Sequence, residues 1–210
     1  DKSFYDGTGL INTVGSEPPQ DPTNSLTNLG LTIYDLISKI KAMSIEYEFN
    51  AGSSETNLLD NEVVITDDYH LAAWYVYNTG LIDDISIEQV NDAKNFILDP
   101  NILNQVSPAS TSSDSLPQKI DIINAAQMGD IVLFDTYQRN GTAAIYTGEG
   151  NFITIFDDNG LTTGNFWTSD EFGNYDYSGW VQKFNGTVLR IPRLNEDDYK
   201  WYVETSGISN

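Results

Sequence analysis

The sequence contains no cysteine and one histidine, His70, in 210 residues. The first absence excludes disulfides, thiolate metal sites and thiol nucleophiles. The second excludes a multi-histidine metal centre, so no metal is expected, and nothing in the sequence asks for a cofactor. Basic residues are scarce as well: Lys and Arg number 10 against 31 Asp and Glu, a formal net charge of −21. A field of that sign repels phosphate backbones and anionic lipid, which sets nucleic acid and membrane-surface partners aside. The plain explanation of the acidity is solubility. No apolar run approaches the roughly 18 residues of a membrane span and no signal-peptide pattern is present, so no membrane insertion is expected. An opening at Asp1 fits a processed secreted protein or a trimmed one, and a secreted or cell-surface location is expected.

What is present is a run of strand formers punctuated by glycine turns. Ile131–Phe134 is a short apolar run that follows Gly129. Asn140-Gly141 supplies two residues tolerant of positive φ, a strong hairpin signal. A second strand, Ala143–Thr147, ends at Gly148-Glu149-Gly150, and a third, Phe152–Phe156, ends at Asn159-Gly160. The pattern predicts three consecutive antiparallel strands.

The chain before this meander divides by composition. Residues 1–28, rich in Gly, Pro, Ser, Thr and Asn, suggest an extended arm or linker. Leu29, Ile33, Leu36, Ile37 and Ile40 recur at helical spacing, predicting a helix from Thr32, its N-cap, to Met43. Ser44–Ser54 should be extended and turn at Gly52, and Val63–Ile65 is a short apolar run. Thr66, Asp67 or Asp68 would cap a helix through Leu71, Trp74 and Tyr75 that stops at Gly80. Ile85–Leu98 suggests one further amphipathic helix, and the polar stretch Ser107–Ser115 a mobile surface loop. After the meander come Leu161–Trp167, an aromatic loop through Tyr175, Tyr177 and Trp180, and a hairpin turned by Asn185-Gly186 with Val188–Ile191 as its closing strand. Helices followed by an antiparallel sheet make an α+β domain over residues 29–194, with an acidic and polar tail at 195–210.

The order of these pieces resembles the NlpC-type, papain-like cell-wall peptidases and the phage peptidoglycan amidases of the same superfamily. Tyr47 to Gly52 stands where the family has a Tyr-x-x-Gly-Gly-like turn. Asp68-Tyr69-His70-Leu71 stands where an Asp-Cys-Ser-Gly motif opens the central helix. Gly129-Asp-Ile-Val-Leu-Phe134 is close to a Gly-Asp-Leu-Val-Phe-Phe strand. Thr142-Ala-Ala-Ile-Tyr146 stands for His-Val-Gly-Ile-Tyr, and Gly148 to Thr154 for Gly-Asn-Gly-x-Phe-Ile-His. The resemblance implies a papain-like fold with N-terminal helices packed on a curled antiparallel sheet.

The family's chemistry needs a thiolate at a helix start, a histidine base and a polar group to orient it. The resemblance places those roles at Tyr69, Thr142 and Thr154. A phenol with an ordinary pKa of about 10 does not replace a thiolate, and a threonine hydroxyl is no base near neutral pH. No catalytic residue is therefore assigned. Tyr69 is expected to fill the old cleft and to approach Thr142 or Thr154.

Other chemistry competes with plainer explanations. His70 could serve a Ser-His-Asp arrangement with Ser53, Ser54 or a loop serine, or be a partly buried or surface histidine. Asp157-Asp158 and Asp170-Glu171 could be a glycosidase carboxylate pair, but exposed turn acids are commoner. Asp157–Gly160 lacks the spaced ligands of a calcium loop. The aromatic group, Trp167, Tyr175, Tyr177 and Trp180 with Phe166 and Phe172, fits a sugar or peptide platform or a small satellite core. Candidate ligand contacts are Tyr47, Tyr69, His70, Thr142, Thr154, Trp167, Tyr175, Tyr177 and Trp180. The expectation is an inactive NlpC-like binding or structural module for cell-wall peptide or glycan. The alternatives are a hydrolase using carboxylates or His70, and an interaction module for another protein of a surface or phage assembly.

Overall fold

The computed structural model describes residues 3–5, 11–13, 26–48, 63–136, 138, 141–157, 159–192 and 194. Strands β1 (Ser3–Tyr5) and β2 (Ile11–Thr13) pair antiparallel within the stretch expected to be an arm. Helix α1 spans Leu26–Ala42, so Thr32 lies inside it and is not its cap. Gly30 costs a helix interior up to about 1 kcal/mol, but the leucine spacing continues through it and carries the helix a turn and a half further back. Ile33, Leu36, Ile37 and Ile40 form its buried stripe. β3 (Ser44–Tyr47) and β4 (Val63–Thr66) make a parallel pair. The turn expected at Gly52, with Ser53 and Ser54, lies outside the described residues.

Helix α2 (Asp68–Asn78) begins at an Asp67 cap, whose Oδ1 accepts the His70 N–H at 2.8 Å. It ends before Gly80, which takes φ 65° as a left-handed C-terminal stop. The single helix expected over Ile85–Leu98 is two, α3 (Ile87–Asn91) and α4 (Ala93–Leu98). Ser86 and Gln89 cap α3 reciprocally, and the chain breaks at Asp92 (φ −86°, ψ 55°), whose carboxylate accepts from the Asn95 amide. Val90, Ala93, Phe96 and Ile97 are buried on both sides of the break, so one apolar stripe had suggested one helix.

A short strand β5 (Asn104–Gln105) follows, then a loop, then helix α5 (Leu116–Asn124), which the sequence pattern did not reveal. Gln118 Oε1 accepts from both Ser115 N–H and Ser115 Oγ–H at its start. The 107–115 segment is a surface loop as expected, but its middle is pinned. Ser110 is buried and donates its N–H to Gly186 O at 2.7 Å.

The meander is formed by β6 (Ile131–Phe134), β7 (Thr142–Gly148), β8 (Asn151–Phe156) and β9 (Gly160–Asn165). A small ladder of β10 (Thr168–Ser169) and β11 (Tyr175–Asp176) precedes a 3-10 turn at Trp180–Lys183 and β12 (Gly186–Arg190). The sheet order is β5-β12-β6-β7-β8-β9, antiparallel throughout. The hairpin expected at Asn185-Gly186 is therefore not local. β12 pairs with β6 and β5, because Val188 and Leu189 align with Val132 and Ile131, where an apolar run is buried on both faces.

Alternate residues of the strands serve two cores. Ile131, Leu133, Ala143, Ile145, Ile153 and Ile155 pack with the helical side, where α1, α2 and α4 lie. Val132, Phe134, Ala144, Tyr146, Phe152 and Phe156 pack with Phe166, Trp167, Val181 and Phe184 on the other side. Two buried faces explain why β6 shows no polar alternation. At one end Asp130, fully buried, takes a bidentate contact from Arg190, with Nε at 2.9 Å and Nη2 at 2.8 Å. Among the described residues no helix is long and apolar enough to cross a membrane.

Candidate functional site at the head of the central helix

The side chain that α2 sends into the sheet is Asp68, one residue before Tyr69. Its Oδ2 accepts the Ala143 N–H at 2.7 Å, and the residue is 6% exposed. The β7–β8 ladder stops at the Ile145–Ile153 pair, so beyond it Ala143 needs other partners. Asp68 takes its N–H, and Thr154 Oγ–H donates to its carbonyl oxygen at 2.8 Å. A carboxyl and a hydroxyl thus replace the backbone ladder where the two strands part. Burial pushes the Asp68 carboxyl up to about 7; the Ala143 N–H opposes the shift and the Asp67 charge adds to it.

Thr142 is 1% exposed and closes a second network. Its hydroxyl lies 2.7 Å from Thr136 Oγ1 and accepts from Gln138 Nε2 at 2.9 Å. Gln138, also buried, accepts the Asp157 N–H at 3.0 Å through Oε1 and donates its own N–H to Thr136 Oγ1 at 3.1 Å. One amide therefore ties the β6–β7 connection to the end of β8 and occupies the space beside Thr142. Thr142 and Thr154 share their strand parity with Ala144, Tyr146, Phe152 and Phe156, whose side chains pack on the face away from α2.

Tyr69 is partly buried against the helical-side core, with Lys94 Nζ 5.9 Å above its ring. Burial first, then the charges of Asp68, Asp135 and Asp67, push its phenol up to about 12. The hydroxyls of Thr142 and Thr154, expected to meet Tyr69, are engaged by Thr136, Gln138 and Ala143 instead. His70 turns the other way. Nδ1 lies 2.7 Å from Asp67 Oδ1 and Nε2 lies 3.0 Å from the Asn91 carbonyl oxygen. A carboxylate and a carbonyl both accept, so both contacts are satisfied together when both ring nitrogens carry protons, and the ring then clamps α2 to α3. Burial lowers its pKa, but the Asp67 hydrogen bond and charge, the Asn91 carbonyl and Asp68 outweigh it and raise the net value.

The remaining candidates are spread widely. Tyr47 closes β3, partly buried against the helical-side core. Trp167 is buried with Phe166 in the second core, whereas Phe172 and Tyr175 are exposed, at 82% and 60%. Tyr175 stacks on Tyr177 at 5.9 Å, and Tyr177 meets Trp167 edge-on at 6.0 Å. The aromatic group is thus part core and part surface. Trp180, half-buried, borders a groove along β9. Asp170 accepts from Phe172 N–H, Asn174 N–H and the Asn174 amide, the pattern of a turn acid. Asp158 lies outside the described residues. Among the described residues, no three His, Asp or Glu gather as metal ligands. Asp68 and Gln138 were missed in the sequence. The tandem Asp67-Asp68 was the available signal for the first, since one caps and the next must face elsewhere. Gln138 gave none.

No protein-family model matches the chain. A stretch of 82 residues is 33% identical to the peptidoglycan DL-endopeptidase CwlO of Bacillus licheniformis, covering 38% of this chain and 16% of that protein. An NlpC/P60 family protein from Bacillus cereus is similar at 14% identity over 75% of this chain and 39% of its own, with a TM-score of 0.39. A Staphylococcus aureus protein described as similar to lipoprotein, NLP/P60 family, is similar at 16% identity over 86% of this chain and 45% of its own, with a TM-score of 0.41. The chain spans less than half the length of each of these proteins. Over the 82 matched residues the chain is similar to a cell-wall endopeptidase, and it carries the strand motifs that resemble the NlpC type, in a sequence that has no cysteine.

Proposed function

We propose that the chain is a non-hydrolytic NlpC-like module, secreted or held at the cell surface, that binds cell-wall material. The observation that supports this best is the fate of the three reaction positions. The resemblance puts the nucleophile's place at Tyr69, and a shift of one residue, with the capping Asp67 as the motif's opening Asp, would put it at Asp68. Neither side chain is a thiolate. The two positions of the family's base and its orienting group are Thr142 and Thr154, and both hydroxyls are consumed by internal hydrogen bonds. With both hydroxyls so engaged, neither threonine is placed to activate a water or attack a carbonyl.

One observation favours a second reading, an acid–base hydrolase. A carboxyl with a pKa near 7 at a helix head is the kind of group that general acid catalysis uses. Its burial and its engagement with Ala143 weigh against that role.

The test is sedimentation of the protein with purified peptidoglycan, beside an assay for released amines and reducing ends. Retention in the pellet without release is expected. Release of either group above the background of a heat-denatured sample would replace binding by hydrolysis. Absence from the pellet would point to a protein partner in a surface or phage assembly.

A further inference from the structure

We propose that the groove along β9, on the face of the sheet opposite α2, is a saccharide site that takes a pyranose bearing a carboxylate. This rests on the cell-wall reading for its choice of glycan, but the groove has its own chemistry. It measures about 400 Å³, within the range of about 300–1,000 Å³ typical of small-molecule sites, and Phe156, Thr162, Thr163, Asn165, Trp180 and Lys183 line it.

Trp180 supplies the platform. Its ring lies edge-on to Phe134 at 5.8 Å and tilted on Phe156 at 5.6 Å. The core thus fixes the indole from one side while the residue stays half-exposed at the groove. A rigid aromatic face loses little entropy when a sugar ring stacks on it. Around it stand hydroxyl groups: Thr162, on the strand face that carries Phe156, and Ser178 supply hydroxyls whose oxygens can still accept.

Two glycines keep the walls close. A side chain at Gly164 would overlap the Phe152 ring, and one at Gly179 would sit 2.6 Å from the Phe166 carbonyl oxygen.

Lys183 gives the site its sign. In a chain of net charge −21 it is an exposed cation that forms no ion pair among the described residues. Such a cation beside a stacking ring suits a sugar with an acidic substituent. An extended peptide is the poorer fit. Peptides commonly dock by adding a strand to a sheet edge, and β3 crowds the start of this one: a Cβ at Gly160 would stand 2.5 Å from the Ile45 carbonyl oxygen.

The experiment measures binding of glycan strands stripped of their peptides, by intrinsic fluorescence and by co-sedimentation with intact peptidoglycan in parallel. The wild-type protein should bind both. Thr162→Arg, which puts bulk into the groove from the strand face that carries Phe156, should weaken binding to stripped strands by about tenfold or more. Lys183→Gln should weaken it several-fold and flatten its salt dependence. Trp180→Ala should abolish it, with circular dichroism to check the fold, and Thr162→Arg decides the matter if that variant unfolds. Binding to intact peptidoglycan without binding to stripped strands would overturn the saccharide groove and leave the cell-wall module standing. Unchanged binding by Thr162→Arg and Lys183→Gln would also overturn it. Binding to neither material would overturn both.

Discussion

Asp68 Oδ2 and the Ala143 amide meet at 2.7 Å across 75 positions of sequence, and this contact fastens the central helix to the sheet where β7 and β8 separate. It is also an uneasy contact, because the carboxyl is buried and its pKa is raised from 3.8 to about 7. A raised carboxyl stabilises the fold, relative to its ionised state, below its unfolded value, and that contribution is lost as pH climbs through the folded value. The window here is about pH 4 to 7. Full ionisation costs on the order of 4 kcal/mol at 1.36 kcal/mol per pKa unit.

Asp68→Asn removes that cost while its amide oxygen can still accept from Ala143. The new buried NH2 group takes back roughly 1–3 kcal/mol if it finds no partner. The variant should therefore be about 1–3 kcal/mol more stable than wild type at pH 8 and no more stable at pH 4. Urea unfolding at the two pH values measures this. An equal difference at both would remove the buried-acid account.

His70 shifts for a different reason. Its net raised pKa means that the Asp67 and Asn91 contacts stabilise the fold fully below the ordinary histidine value, and that this is lost as pH rises through the folded value. Because the sequence has one histidine, its ring proton can be followed by NMR without assignment. The midpoint should lie above 6.5 in the folded protein and return toward 6.5 in urea. A folded midpoint at or below 6.5 would mean that burial wins and the clamp is neutral.

Much of the meander was legible because its signals are local. Gly129, Gly141, Gly148, Gly150 and Gly160 all take positive φ at the turns between β-prone runs. The cap and stop of α2 were legible for the same reason. Helix α5 was not, since Gln118, Lys119 and Asp121 interrupt its apolar spacing, and Lys119 is buried by a tertiary contact with Gln182 O. The break at Asp92 was hidden by an apolar stripe that runs across it. At the site, strand motifs gave the right strands, but which side chain of Asp67, Asp68 and Tyr69 reaches the sheet depends on helix phase to within one residue. The Gln138 network joins a connection to the far end of another strand, and no periodicity encodes such a contact.

Arg190 and Asp130 offer a sharper test of the second core's edge. Asp130 is fully buried and Arg190 partly so; the contact is bidentate and further held by Ala125 O and Gln127 N–H. Removing one partner leaves a buried group unpaired, so Arg190→Ala should cost about 3–5 kcal/mol. Arg190→Leu with Asp130→Leu should cost clearly less than the sum of the single changes. Additive losses in thermal unfolding would show that the two side chains act independently.

Restoring the family's residues alone should not restore its chemistry, and the reason lies beside Thr142. Tyr69→Cys or Asp68→Cys supplies a thiol, and Thr142→His supplies a ring. Thr142, however, is 1% exposed and packed between Thr136 and Gln138, so an imidazole there overfills its surroundings. Overpacking of this kind costs typically about 1–3 kcal/mol. Gln138→Gly opens the space, although it also leaves the Asp157 N–H without its acceptor. Thr142→His should therefore destabilise the protein by about 1–3 kcal/mol, and Gln138→Gly should recover part of that loss only in the Thr142→His background. In the wild-type background the glycine change should be destabilising. Chemical denaturation of the four proteins in the cycle gives the coupling directly, and peptidoglycan cleavage is expected in none of them, with or without the cysteine. A Thr142→His protein as stable as wild type would mean that the space is free and that Gln138 does not plug it. Cleavage by Tyr69→Cys or Asp68→Cys with Thr142→His alone would mean that the old cleft is intact beneath its substitutions.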